Sequence, residues 1–127
     1  MRLLLDTRVF LWSVMASGKL GKPARDLIEG ADEVWISAAS IWEIAFKLGI
    51  GRVDADIDEV AKSIGASGFR ELPVSAAHAA AVSRLPAYHA DPYDRLLIAQ
   101  AMTEPLRLLT VDPALRRYSE LVIVTPP

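Results

Sequence analysis

The sequence predicts an α/β fold, a three-layer α/β/α sandwich around a central, mostly parallel five-stranded sheet, in one domain spanning residues 1–127. Three observations lead there. Strand-like and helix-like segments alternate from one end to the other, with no repeat, low-complexity tract or linker between them. RLLLD, LRLLTV and LVIV are continuous apolar runs, the pattern of strands covered on both faces. A chain of 127 residues holds one hydrophobic core and is too short for two.

Arg2 to Asp6 (RLLLD) is the first strand, and TRVFLWSVMAS after it reads as a helix through Ser17. KPARDLIEG is a second helix, with Pro23 near its start and Gly30 at its end. Glu33 to Ser37 (EVWIS) is the second strand, and ASIWEIAFKLG a helix closed by Gly49. DADIDEVAKSIG starts on acids that suit the positive end of the helix dipole. FRELPV is a short third strand. Ser75 caps the alanine-rich SAAHAAAVSRL, and DPYD leads the helix before the fourth strand, LRLLTV. A turn at DPALRRY and the strand LVIV complete the series.

Hydrophobic residues at 52% and charged residues at 24% describe a soluble globular protein. No apolar run approaches the roughly 20 residues that span a bilayer. The apolar part of MRLLLD, ended by Thr7 and Arg8, is too short for a signal-peptide core, so a cytoplasmic location without membrane association is expected. The absence of Cys excludes disulfides and thiolate metal sites. A net charge of −2 does not suit a protein that grips nucleic acid by charge alone; any such contact needs a local basic patch or a bound cation.

Four acids fall where the predicted topology converges. Asp6 ends the first strand and Asp112 follows the fourth, at the carboxyl edge where open α/β sheets bind ligands. Glu43 lies on the helix leaving the second strand. Asp94 lies in the first turn of the helix that runs back into the fourth, so it starts at the same edge. Each has a purely structural reading beside it. Asp91, Pro92 and Asp94 form a good helix start, Asp112 before Pro113 repeats it, and Ser40 with Glu43 matches a capping box unless Ser37 is the cap. Asp6 gains nothing from packing at the end of RLLL. Together, four carboxylates at one edge repel one another, and a divalent cation removes that cost. Mg²⁺, with Mn²⁺ as the substitute, takes oxygen ligands and activates a water against a phosphodiester.

LLLDTRVFLW, SAASIWEIAFKLGIGRV, GFRELPVSAAHA, LPAYHADPYDRLLIAQA and LLTVDPALRRY together resemble the PIN-domain ribonuclease toxins of the VapC type, over nearly the whole chain and in the same order. The resemblance implies a Mg²⁺-dependent endoribonuclease acting on RNA, a homodimer, and a VapB-type antitoxin partner. It also implies that Asp6, Glu43, Asp94 and Asp112 are the four site acids. Asp6 and Asp94 would be direct metal ligands, while Glu43 and Asp112 would hold a second ion, ordered waters or the attacking water. Arg8 departs from the His common in this subgroup, and its guanidinium can pair with a carboxylate or contact a phosphate.

Asp91, Thr7 and Thr110 are accessory candidates, able to orient acids or a water, or simply to make turns. Arg8, Arg95 and Lys47 are RNA-binding candidates, Arg95 foremost because it adjoins Asp94; Arg52, Arg84, Arg116 and Arg117 read equally as solvated surface. His78 reads as structural and His89 as either structural or a general base, each alone in its segment. Ser13, Ser37 and Ser40 have no His-Asp arrangement beside them. Phe10, Trp12, Trp35, Trp42 and Phe46 read as core, with FLW and IW able to supply an interface instead. Two rivals remain at this level. A receiver-type phosphoacceptor requires a lysine after a late strand, where Asp112-Pro113 stands; a non-catalytic module would use the acids as caps.

Overall fold

The computed structural model of the chain describes residues 1–15 and 18–127. Its sheet is parallel throughout, in the order β3-β2-β1-β4-β5, with β1 Arg2–Leu5, β2 Glu33–Ser37, β3 Arg70–Leu72, β4 Arg107–Thr110 and β5 Val122–Val124. The chain builds outward from β1 to β2 and β3, then returns to β1's other side for β4. The strand order therefore reverses between β1 and β4, where such sheets form a crevice at their carboxyl ends. In register, Leu5 pairs Ile36 on one side and Leu109 on the other, so the three strands end level.

Helices cover both faces, as the continuous apolar strands require. Leu3, Leu5, Ile36 and Leu109 pack with Val9 and Phe10 of α1 (Thr7–Val14), Ala24 of α2 (Lys22–Gly30), Ile44 of α3 (Ala38–Gly49), and Val60 and Ile64 of α4 (Ile57–Ala66). Leu4 and Leu108 point the other way, onto Leu97, Ile98 and Ala101 of α6 (Pro92–Thr103) and onto Leu115 and Tyr118 of a 3₁₀ turn, Pro113–Tyr118. Alternate residues of one strand thus serve two cores. Each fully buried leucine contributes about 1.5–3 kcal/mol.

Several boundaries differ from the sequence reading, each for a local reason. RLLLD stops as strand at Leu5 because the Asp6 side chain accepts from the Val9 N–H and caps α1. The expected end of that helix, Ala16 and Ser17, lies outside the described residues. Gly49 is the last helical residue of α3, and the left-handed position (φ +74°) falls at Gly51. SAAHAAAVSRL divides into α5 (Ala76–Ala81) and a 3₁₀ turn, Val82–Arg84. Phe10 is core, whereas Trp12 and Trp35 are half-buried and Trp42 and Phe46 are exposed. Among the described residues no helix is long and apolar enough to cross a membrane.

Ser37, not Ser40, caps α3, its hydroxyl accepting from Ala39 N–H and donating to buried Gln100 on α6. The capping box drawn from Ser40 and Glu43 is therefore not formed. Ser40 instead accepts from the Thr7 hydroxyl at 2.9 Å, tying α1 to α3. His78 is structural: it completes a capping box with Ser75, and its Nε2 lies 2.6 Å from Glu104.

Candidate active site

Asp6, Glu43, Asp91, Asp94 and Asp112 line one cleft of about 190 Å³ at the carboxyl edge of the sheet, together with Thr7, Arg8 and Lys47. Each acid arrives by a different route. Asp6 follows β1 and is nearly buried: Oδ1 accepts from Val9 N–H at 2.8 Å, and Oδ2 accepts from the hydroxyl of Thr110 at the end of β4. Thr110 Oγ1 also accepts from Asp112 N–H at 3.1 Å, so this one hydroxyl sets the spacing of two strand-end acids. Asp112 Oδ1 caps the following 3₁₀ turn through Ala114 N–H.

Because Ser37 starts α3, Glu43 falls on its second turn, facing inward and 5% exposed. Its Oε2 pairs with the Lys47 ammonium one turn on, and its Oε1 is buried with no partner. Asp91 caps α6 by accepting from Tyr93 and Asp94 N–H, leaving the Asp94 carboxylate to face the cleft. There Asp94 Oδ2 meets His89 Nε2 at 2.8 Å. One ligand atom each from His89, Asp94 and Asp112 lie within 4.8 Å of one another.

The electrostatics of this cleft are unfavourable as they stand. Burial pushes the Asp6 carboxyl up from 3.8 to about 6, against the lowering effects of its Thr110 and Val9 hydrogen bonds, and the nearby Asp94 charge adds to the rise. Asp94 is also raised, first by burial and then by Asp91, with His89 opposing. Carboxylate oxygens from several elements, an imidazole at hand, a buried carboxylate oxygen without a partner among the described residues and two carboxyls that resist ionisation fit a hard divalent cation. Capping accounts for one oxygen of Asp6, Asp91 and Asp112; it accounts for nothing at Glu43 or Asp94.

The remaining candidates separate clearly. Thr110 orients Asp6, whereas Thr7 turns away from the acids to Ser40. Arg8 sits at the cleft with its guanidinium 5.8 Å from the centre of the Trp12 ring. Arg95, next to Asp94 in sequence, spends its guanidinium on the carbonyls of Pro86, His89, Val82 and Leu85 and on the Tyr118 hydroxyl. It is a clamp on the loop before α6 rather than a group presented to a phosphate. His89, read from the sequence as either structural or a general base, folds back onto Asp94 five positions later, a pairing that reading by segments does not show. A larger hollow of about 650 Å³ lies at the opposite end, and of its three acids, Glu29, Asp32 and Glu33, the last two pair with the chain's amino terminus and with Arg2 and Arg70.

Comparison with known proteins agrees with this fold. The PIN domain pattern matches residues 3–121. Ribonuclease VapC22 of Mycobacterium tuberculosis is 32% identical over 117 residues, covering 91% of this chain and 90% of that protein. Among solved structures, VapBC2 from Rickettsia felis bound to a promoter DNA fragment superposes with a TM-score of 0.70 at 16% identity, covering 99% of this chain and 98% of that one. A toxin-antitoxin complex from Klebsiella pneumoniae gives 0.67 at 18% identity, covering 96% of each. At those identities the structures speak for the fold, and the sequence matches speak for descent. With its parallel five-stranded sheet and this extent of match, the chain belongs to the PIN-domain family and stands within it beside the VapC-type proteins.

Proposed function

We propose that this protein is a divalent-metal-dependent endoribonuclease, the toxin of a toxin-antitoxin pair, hydrolysing RNA phosphodiester bonds at the five-acid cleft. The observation that carries the reading is the convergence of Asp6, Glu43, Asp94 and Asp112, from four separate elements, on one cleft with a buried, unpartnered Glu43 oxygen. The likeness to a ribonuclease at 32% identity supports it. Asp6 and Asp94 would hold the ion, Mg²⁺ by preference and Mn²⁺ in its place, with Glu43 and Asp112 completing the site and Asp91 as an accessory acid at its edge. When bound, the ion supplies an activated water and neutralises charge on the scissile phosphate.

The chain's own groups do the positioning. Thr110 fixes Asp6 and Asp112 relative to each other, and His89 fixes the Asp94 carboxylate. Lys47 holds Glu43 by one oxygen and leaves the other facing the site as an acceptor. Arg8 at the rim is the guanidinium best placed for a phosphate. Purified protein is expected to cut RNA when Mg²⁺ or Mn²⁺ is supplied and to stop when EDTA is added. RNA cutting that persists in EDTA would remove the metal from the reading.

The resemblance and the toxin-antitoxin structures support two partners, a second copy of the chain and a VapB-type antitoxin. Trp42 and Phe46 of α3 and Ile50 at its C-cap recur every four residues and stay more than half exposed, with Tyr93 packed edge-on against Trp42 at 4.9 Å. This apolar stripe is the surface such a partner covers. Replacing Trp42 and Phe46 with Ser is expected to weaken association by about 2 kcal/mol or more, roughly 30-fold. Sedimentation for the dimer and co-purification with a co-expressed antitoxin read this; full retention of both would contradict the assignment.

A further inference from the structure

Beside the acidic cleft lies a surface of opposite character that the hydrolytic chemistry does not use. The loop before α6, residues 82–90, and the 3₁₀ turn, residues 113–119, contain no acid, and they place Arg84, Arg116 and Arg117 on the exterior. The first of these segments carries Tyr88, 47% exposed although two groups of the second already touch it. The Arg117 guanidinium lies 4.0 Å from the centre of its ring, and the Tyr118 ring braces it at 5.3 Å with a 59° tilt. A solvent-facing aromatic ordinarily moves freely. Here the loop that carries it is clamped, because Arg95 and the Tyr118 hydroxyl both donate to the carbonyl of His89, the next residue. His89 in turn contacts Asp94. The ring is thus fixed one residue from a side chain of the acidic site.

We infer that Tyr88, backed by Arg117, is a stacking platform for an unpaired nucleobase of the RNA strand next to the scissile phosphate. The inference rests on the ribonuclease reading of the adjoining cleft and adds the residue that takes up a base beside the cut. A flat ring held open at the rim of a site and backed by an arginine is an arrangement with which proteins take splayed bases. A duplex, whose bases are stacked on each other, offers nothing to such a ring.

The test begins with sites cut by the wild-type protein in total cellular RNA, mapped by sequencing, from which a short single-stranded RNA is made. Abasic nucleotides are then placed singly on either side of the cut bond. Tyr88→Ala is expected to lower kcat/KM by roughly 5- to 150-fold, chiefly through KM. Tyr88→Phe is expected to restore most of that loss. One abasic position should cost the wild type a similar factor and cost Tyr88→Ala little more, since the ring and the base contribute only together. Equal penalties from that abasic position in wild type and Tyr88→Ala, at every position tried, would overturn the platform even if the variant were poorly folded. So would equal cutting of the same sequence as a duplex. Failure of the wild-type protein to cut any RNA would instead overturn the ribonuclease reading beneath it.

Discussion

Replacing Asp6 with Asn is expected to abolish RNA cleavage, by roughly a thousandfold or more, while making the metal-free protein more stable. The two effects have one cause. Asn caps a helix as well as Asp, so the bond from Val9 N–H is kept. What is lost is the bond that Oδ2 accepts from the Thr110 hydroxyl, together with a negative charge held in a buried place beside Asp94, and the cost of that charge is the larger of the two. Burial raises the Asp6 pKa from 3.8 to about 6. Below the lower value the carboxyl is protonated in folded and unfolded chains alike and costs nothing. Between the two the folded state holds a proton that the unfolded state releases, so stability falls as pH rises. Above about 6 the cost is complete, on the order of 3 kcal/mol. Removing the charge should therefore raise stability by about 1–3 kcal/mol near pH 8, or roughly 4–10 °C in Tm, and by little near pH 4. Thermal unfolding of the EDTA-treated proteins at both pH values reads this. An Asp6→Asn protein that is inactive and also less stable at pH 8 would mean the carboxylate serves folding.

The same charge makes metal binding and protons compete. Mg²⁺ at about 100 times its Kd should stabilise the wild type by about 2.7 kcal/mol where the site is ionised. That increment should shrink toward pH 5, as Asp6, raised to about 6, takes up a proton, with Asp94 also raised by burial. Cleavage should fall over the same range. In Asp94→Asn the Mg²⁺ increment should largely disappear at every pH. A Tm rise that is independent of pH, or undiminished in Asp94→Asn, would place the ion elsewhere on the protein.

The two-faced apolar strands and the alternation of elements made the layered sheet legible in the sequence, and with it the edge where Asp6, Asp94 and Asp112 meet. Topology had already brought Glu43 to the same edge, and the resemblance added that the four acids are a metal site with Asp6 and Asp94 as its direct ligands. What stayed hidden was carried by side-chain geometry at a distance in the chain. Asp6 looked useless to packing because the register that makes it a cap for Val9 depends on where the strand stops. His89 looked solitary because its partner is reached only after the Asp91 cap turns the chain. Arg95 looked like a phosphate ligand by adjacency to Asp94, yet adjacent helical residues point about 100° apart, and it faces the loop it clamps. Trp42 and Phe46 share an apolar helix with Ile44, and only packing shows that one face is covered and the other bare.

The most direct measurement takes RNA cut by EDTA-treated protein after Mg²⁺ is returned and identifies the new ends. An activated water attacking phosphorus in line, with the ribose 3′ oxygen leaving, gives a 3′-hydroxyl and a 5′-phosphate. Those ends, from wild type and not from Asp94→Asn, are the expected result. Cyclic phosphate ends, or cutting by Asp94→Asn at the wild-type rate, would contradict hydrolysis at the acidic cleft.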